Sequence, residues 1–224
     1  GTNISISGNY LAVGTKVTQN ANVYVYYKNQ ATGVYAIQKI ITIPTELSGL
    51  DSNFGESLSI SNNYLAVSAK SQDKVYLYKR KGTNWTQIKS WDGVDDFSID
   101  STAFGGSLEL TDNYLAIGVN DTASSVNNRV FLRGKNVGGT DNWGAVKTFT
   151  YPGSNHSSVS TKDDEQFGSN SSIDGDYIII GARNADAYSG SAEIAGAGLA
   201  FIFYRHQGGR DQWGLQETLH AQQT

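Results

Sequence analysis

One hexapeptide recurs four times along this chain. Asn9-Tyr10-Leu11-Ala12-Val13-Gly14 returns as Asn63-Tyr64-Leu65-Ala66-Val67-Ser68, as Asn113-Tyr114-Leu115-Ala116-Ile117-Gly118 and as Asp176-Tyr177-Ile178-Ile179-Ile180-Gly181. The successive tyrosines lie 54, 50 and 63 residues apart. A repeat of this length restricts the chain to an array of one supersecondary unit, either a helical group or a β-blade. Each unit of such an array buries its apolar surface only against its neighbours. Composition chooses between the two. With 25 Gly, 13 Tyr and 4 Trp among 224 residues and only 17% charged, the chain suits many short strands joined by turns.

Every unit reads as four strands. The first is short and alternating: Asn3–Ile6, Ser57–Ile60, Ser107–Leu110 and Asn170–Ile173. A tight turn follows, written Gly8-Asn9, Asn62-Asn63, Asp112-Asn113 or Gly175-Asp176, from residues that tolerate positive φ and suit two-residue hairpins. The repeated hexapeptide is the second strand. The third holds Val23–Tyr26, Val75–Tyr78, Val130–Leu132 and Ala200–Phe203. The fourth opens on Tyr35, Trp85, Trp143 or Trp213, and six residues later comes Ile41, Trp91, Phe149 or Leu219. Strand periodicity places these two positions on one face. The fold class is therefore all-β, a β-propeller of four-stranded antiparallel blades, with blades at about 1–53, 54–103, 104–166 and 167–224.

Phe54-Gly55, Phe104-Gly105 and Phe167-Gly168 open three of these units, and Gly1 stands at the Gly position of another. Gly14 and Gly181-Ala182 end second strands. In this order, the residues resemble the FG-GAP repeat, which builds the propeller of integrin α-subunits and of many surface proteins. The resemblance implies an extracellular or cell-surface, non-enzymatic protein-interaction or adhesion module. It also implies a seven-bladed ring, whereas this chain holds four units. The absence of Met and the unit-boundary ends read as a segment of something longer. Three outcomes are open: a small closed ring of four, an arc completed by another chain (further blades or copies of itself), or an arc cut from a larger propeller.

The chain departs from the family pattern in three ways, one being Lys70 and Val119, which stand in blades where the Gly-Ala-Pro pattern is eroded. The Pro of Gly-Ala-Pro is missing from every copy, and no Asp-x-Asp-x-Asp-Gly loop separates the first and second strands. A hairpin turn is too short to wrap a calcium ion that needs six or more oxygens. Asp174-Gly175-Asp176 is the nearest remnant. The expectation is binding without a cofactor or metal.

Other classes are disfavoured on chemistry. A net charge of -4 offers no basic face for nucleic acid. No apolar run approaches the roughly 20 residues of a membrane span. Without cysteine there are no disulfides or thiolate zinc sites. His156, His206 and His220 stand far apart, and no Ser/His/Asp pattern emerges. The tryptophans could stack on sugars, but they share positions with other large apolar residues, which marks them as packing residues. Glu109 stands among the small polar residues of the first strands and is expected to face a wet central channel.

In a meandering blade, the connections from second to third strand and from blade to blade emerge on one face. Insertions gather there, at 119–128, 152–166 and 183–198, and loops lengthened on one side of a rigid array commonly carry recognition. Asp121, His156, Asp163, Asp164, Glu165, Asp186 and Tyr188 are the candidate binding residues for a protein or glycan ligand. The sequons at Asn84, Asn120 and Asn155 are candidate glycosylation sites. A lectin-like propeller and a structural subunit of a surface filament are the alternative functions.

Overall fold

Alternation of apolar residues folds each unit into a separate antiparallel sheet. Blade one is β1 (Asn3–Ser7), β2 (Tyr10–Gly14), β3 (Asn22–Lys28) and β4 (Tyr35–Thr42). Blade two is β5 (Phe54–Ile60), β6 (Tyr64–Ala69), β7 (Lys74–Lys81) and β8 (Asn84–Asp92). Blade three is β9 (Phe104–Leu110), β10 (Tyr114–Val119), β11 (Arg129–Gly134) and β12 (Gly144–Thr150). Blade four comprises β13 (Phe167–Asp174) and β14 (Tyr177–Ala182), then a small hairpin of β15 (Ala187–Ser189) and β16 (Ala192–Ile194). It ends with β17 (Leu199–Tyr204) and β18 (Gly214–His220). Strand order follows chain order in each four-stranded sheet, the hairpin standing apart. The computed structural model describes residues 1, 3–15, 21–99, 103–119, 128–153, 166–189 and 192–220.

The core lies between blades. One cluster joins Val23, Val25 and Ile41 of blade one to Phe54, Leu65, Val67 and Trp85 of blade two. The next joins Tyr64, Val75 and Trp91 to Phe104, Leu115 and Trp143, and the third joins Val130 and Phe149 to Phe167, Ile178, Phe201 and Trp213. Successive residues of one strand therefore serve opposite interfaces. Leu65 and Val67 face blade one, while Tyr64 and Ala66 face blade three. All of β6 is buried for this reason, whereas β14, in the last blade, buries alternate residues only.

The Phe-Gly pairs supply the tightest part of each interface. Phe54, Phe104 and Phe167 are fully buried, each contributing about 1.5–3 kcal/mol. The glycines that follow have φ of +84°, +76° and +88°. A Cβ on Gly55, Gly105 or Gly168 would stand 2.9, 2.7 or 3.0 Å from a Cγ2 of Val23, Val75 or Val130, at the third strand of the preceding blade. Positive φ and close approach together require glycine here.

The outermost strands correct one expectation. Opposite β3, Val25 pairs with Lys39 and Tyr26 with Ile37, so Gln38 is an extra, bulged residue. Ile88, Val146 and Gln216 are bulged in the same place in the other blades. A bulge reverses which face later residues occupy. The opening aromatic and the apolar residue six positions later therefore point to opposite interfaces. Trp85 packs back on blade one and Trp91 forward on blade three; Trp143 and Phe149 divide in the same way.

The hairpin turns are also mixed. Gly8 and Gly175 take φ of 56° and 55°. In blades two and three, the Oγ of Ser61 and Oγ1 of Thr111 instead accept the backbone N–H of Tyr64 and Tyr114, at 3.1 and 2.9 Å.

The four blades form an open arc, so a closed ring of four is overturned. Inner strands β1, β5, β9 and β13 lie side by side in that order. Ile4 and Ile6 on the first flank remain 69% and 63% exposed, and Tyr177 and Leu219 on the last flank 47% and 42%. Their equivalents in the middle blades are buried, except Tyr114, which is half-buried. Each interface fixes the step between blades through both inner-strand ties and outer-strand aromatics, and three such steps leave the flanks uncovered.

Candidate functional site

The two edges of the arc are chemically different. On one edge run the connections from second to third strand and from blade to blade. Ser71, just after β6, donates its backbone N–H to Ser52 O at 3.3 Å, and Asn53 Nδ2 donates to Ser71 Oγ at 2.8 Å. Asp73 Oδ1 accepts the backbone N–H groups of Ala103 and Phe104 at 3.1 and 3.2 Å. These bonds bring both kinds of connection onto one face, as the meander predicts.

In blade four, the 183–198 connection carries the β15–β16 hairpin. Asp186, almost fully buried, sits at its base, and its Oδ1 accepts the Gly196 N–H at 2.8 Å. Gly198 N–H donates to Ala185 O at 2.8 Å. Tyr188 lies in β15 opposite Glu193. Asp186 thus clamps the loop, and Tyr188 rides on the clamped hairpin. Asp121, His156, Asp163, Asp164 and Glu165 lie outside the described residues, as do Asn120 and Asn155. Asn84 is exposed at the start of β8.

Among the described residues, no group of three or more His, Cys, Asp or Glu side chains could hold a metal ion. No helix among them is long and apolar enough to cross a membrane. All four tryptophans are buried, so none offers a ring to a sugar.

The inner strands border a polar channel. One cavity of about 460 Å³ is lined by Ser5, Ser59, Glu109, Asp112 and neighbours, and one of about 350 Å³ by Ser57, Ser59, Ser107, Glu109 and Ser171 among others. Glu109 belongs to both, as its sequence position anticipated. Burial pushes its carboxyl above the usual range, while the Ile173 N–H and the Ser59 side chain bond to it and oppose the shift.

Sequence reasoning missed the opposite edge. A groove of about 660 Å³ runs between blades three and four, lined by Tyr114, Lys135, Asp176, Arg205, Asp211 and Trp213 among others. Arg205 bonds to Asp211 at 2.5 Å and Asp176 at 3.3 Å, and its guanidinium lies 5.9 Å from the centre of the Tyr114 ring. Between blades two and three, Lys79 and Tyr64 both bond to Asp141, at 2.6 and 3.2 Å, and the Lys79 contact holds that carboxyl below its usual range. The basic residue at the end of each third strand was the available signal, because Arg80, Lys135 and Arg205 recur at one repeat position.

Comparison with known proteins agrees with this architecture. The FG-GAP repeat profile matches residues 160–203. The chain carries an FG-GAP repeat. This repeat coincides with β13, β14, the β15–β16 hairpin and most of β17. A WD40 domain from Toxoplasma gondii coronin superposes with a TM-score of 0.52 at 10% identity, covering 97% of this chain and 45% of that one. That likeness shows the β-propeller fold alone, and the chain spans under half the length of that structure. No curated protein matches this chain.

Proposed function

We propose that this chain is an extracellular or cell-surface interaction and adhesion module that binds a protein ligand through the face bearing the 119–128, 152–166 and 183–198 loops. The observation that carries this reading is the clamped 183–198 connection. A rigid blade holds a loop hairpin away from the sheet, and a buried carboxylate fixes its base. Such a loop is costly to build for connection alone, since β6 and β7 are joined by a short 3₁₀ turn at Lys70–Gln72. FG-GAP repeats are typical of extracellular proteins, which supports the compartment.

In this reading Asp121, His156, Asp163, Asp164, Glu165 and Tyr188 meet the ligand, Asp186 holds the loop that presents Tyr188, and Asn84, Asn120 and Asn155 accept glycans where the host glycosylates. The module binds rather than catalyses, and it needs no metal because the first-to-second-strand connections are simple turns. The test is adhesion of cells to immobilised protein. Replacing 152–166 by a Gly/Ser linker, or Tyr188 by Ala, is expected to abolish adhesion, and a chelator is expected to leave it intact. Full adhesion by both variants would overturn the loop-face reading.

A further inference from the structure

On the edge opposite the loops, the blades differ at one position, the third-strand residue that pairs with the tyrosine of the second strand. Tyr27 pairs with Tyr10, Lys79 with Tyr64 and Tyr204 with Tyr177. In blade three the partner of Tyr114 is Gly134. Tyr27 and Tyr204 lie against their paired tyrosines, ring centres 5.2 and 5.0 Å apart. Lys79 instead reaches the next blade. Its ammonium donates to Asp141 Oδ2 at 2.6 Å, and Tyr64 donates its hydroxyl to Oδ1 of the same carboxylate at 3.2 Å. A lysine side chain of the chain itself therefore occupies the junction between blades two and three.

The junction between blades three and four has the same frame without that side chain, and here the groove of about 660 Å³ opens. Asp211 stands where Asp141 stands, two residues before the tryptophan, and Arg205 stands where Lys135 stands. Val137 and Val146 close over Gly134, where a Cβ would be 2.9 and 2.7 Å from their Cγ2 atoms. With Ala145 they give the groove an apolar floor. Its rim is polar. Arg205 bonds to Asp211 at 2.5 Å and to Asp176 Oδ1 at 3.3 Å, while Arg210, 92% exposed, approaches Asp211 from the solvent side at 3.6 Å. The Lys135 ammonium is turned to the preceding junction, 3.9 Å from Asp141 and 5.1 Å from the centre of the Tyr64 ring. Among the described residues, neither the Tyr114 hydroxyl nor Asp176 Oδ2 has a hydrogen-bond partner. Two carboxylates and one guanidinium thus face the groove, and two oxygens on its rim are left to a ligand.

We propose that the groove between blades three and four binds a primary alkylammonium group, the chemistry of a lysine side chain. The alkyl stem lies on Val137, Ala145 and Val146, and the three N–H donors of the ammonium meet Asp176, Asp211 and the Tyr114 hydroxyl oxygen. This repeats what Lys79 does at Asp141 one junction earlier. Arg205 is no obstacle to a second cation, since Lys79 and Lys135 already share the Asp141 carboxylate. A quaternary ammonium has no N–H to give these oxygens, and a guanidinium presents its donors in a flat fork rather than as a point charge on a slender stem. The site lies on the edge opposite the 119–128, 152–166 and 183–198 loops and does not depend on what those loops bind.

The test is an NMR titration of nitrogen-labelled chain with two probes that carry the group, Nα-acetyl-lysine-N-methylamide and n-butylamine. Both are expected to shift the backbone amides of Tyr114, Gly134, Val137 and Asp176 and to leave β1–β4 unmoved. Tighter binding of the lysine derivative would make a polypeptide the source of the group, and equal binding a free amine. Nα-acetyl-norleucine-N-methylamide, which has the stem without the charge, is expected to bind about tenfold more weakly or worse. Asp176→Asn is expected to weaken binding of the lysine derivative about two- to fivefold, the worth of an exposed ion pair. Tyr114→Phe, which removes one hydrogen-bond acceptor, is expected to weaken it about two- to tenfold. A further variant tests the comparison between junctions: Lys79→Ala uncovers Asp141, and n-butylamine is expected to shift the Asp141 amide in that variant but not in the wild type. Equal binding of the norleucine derivative, or shifts scattered beyond the groove, would overturn the assignment. So would an affinity indifferent to both Asp176→Asn and Tyr114→Phe, or a folded Lys79→Ala that gains no site.

Discussion

The indole N–H of Trp85 donates to Gln38 Oε1 at 3.3 Å across the first blade interface, and the corresponding indoles of Trp143 and Trp213 have no acceptor. One repeat position thus decides whether a buried donor is satisfied. Leaving such a donor unpaired costs about 1–3 kcal/mol, while a satisfied bond contributes about 0.5–1.5 kcal/mol. Val146→Gln is therefore expected to stabilise the chain by about 1 kcal/mol, raising the thermal midpoint by about 2–4 °C. Gln38→Leu is expected to lower it by at least as much. Calorimetry on the two variants checks both signs, and a Val146→Gln variant less stable than wild type would contradict the account.

At Gly105, two demands coincide. Its φ is +76°, and a Cβ would stand 2.7 Å from Val75 Cγ2 in the preceding blade. A non-glycine residue in the left-handed region costs about 1–3 kcal/mol, and crowding a packed core adds about 1–3 kcal/mol. Gly105→Ala is expected to destabilise by about 2–5 kcal/mol on those two grounds. Gly33 has φ of +73° but open space around it, so Gly33→Ala is expected to show the backbone cost alone, about 1 kcal/mol. Denaturant unfolding of the pair separates crowding from backbone strain.

Much of this architecture was legible because its signals are local. The second-strand hexapeptide, the turn before it and the Phe-Gly pair each depend on a few adjacent residues, and the four sheets fall where they predict. The strand-four bulge was not legible, because its position is filled by a polar amide in two blades (Gln38, Gln216) and an apolar β-branched residue in the other two (Ile88, Val146). The extra residue is set by how the outermost strand must curve, and missing it placed Trp85 and Trp91 on one face when they serve two. The loop face was legible as a place, since chain topology alone puts those connections together. Its internal geometry was not: nothing about Asp186 in sequence says that it turns inward to bond Gly196. The inner-strand ties were hidden for another reason. Ser5, Ser59 and Glu109 occupy one position, but their acceptor role needs the neighbouring blade's N–H, and that pairing is non-local.

Removing the Asp186 carboxylate should loosen the β15–β16 hairpin without unfolding the blade. The Gly196 amide loses its acceptor in Asp186→Ala, while the β13–β14 and β14–β17 ladders are untouched. Hydrogen exchange at Gly196 is expected to quicken by about tenfold, the equivalent of roughly 1.4 kcal/mol, with amides of β14 unchanged. Uniform quickening across the blade would show instead that Asp186 holds the fold as a whole.

Glu109 should make stability depend on pH in an unusual direction. It occupies the inner-strand position held by Ser5 and Ser59, and its carboxylate accepts the Ile173 N–H across the last interface. Burial in the channel raises its pKa above the ordinary 4.5 despite that bond. The folded chain therefore holds more protons than the unfolded chain between pH 4.5 and the raised value, and stability falls as pH rises through that window. Most carboxylates that gain partners on folding, such as Asp141, act in the opposite sense. The difference between wild type and Glu109→Gln isolates the group, because glutamine keeps an acceptor for the Ile173 N–H but carries no charge. Glu109→Gln is expected to be the more stable protein at pH 7 and above. Its advantage should shrink as pH is lowered below the raised pKa and change little further below pH 4.5. Glu109→Ala, which removes the acceptor as well, is expected to be less stable than Glu109→Gln at every pH. Urea unfolding of the three proteins from pH 4 to pH 8 measures each comparison. A Glu109→Gln variant that loses stability at neutral pH would show that the carboxylate charge itself supports the interface.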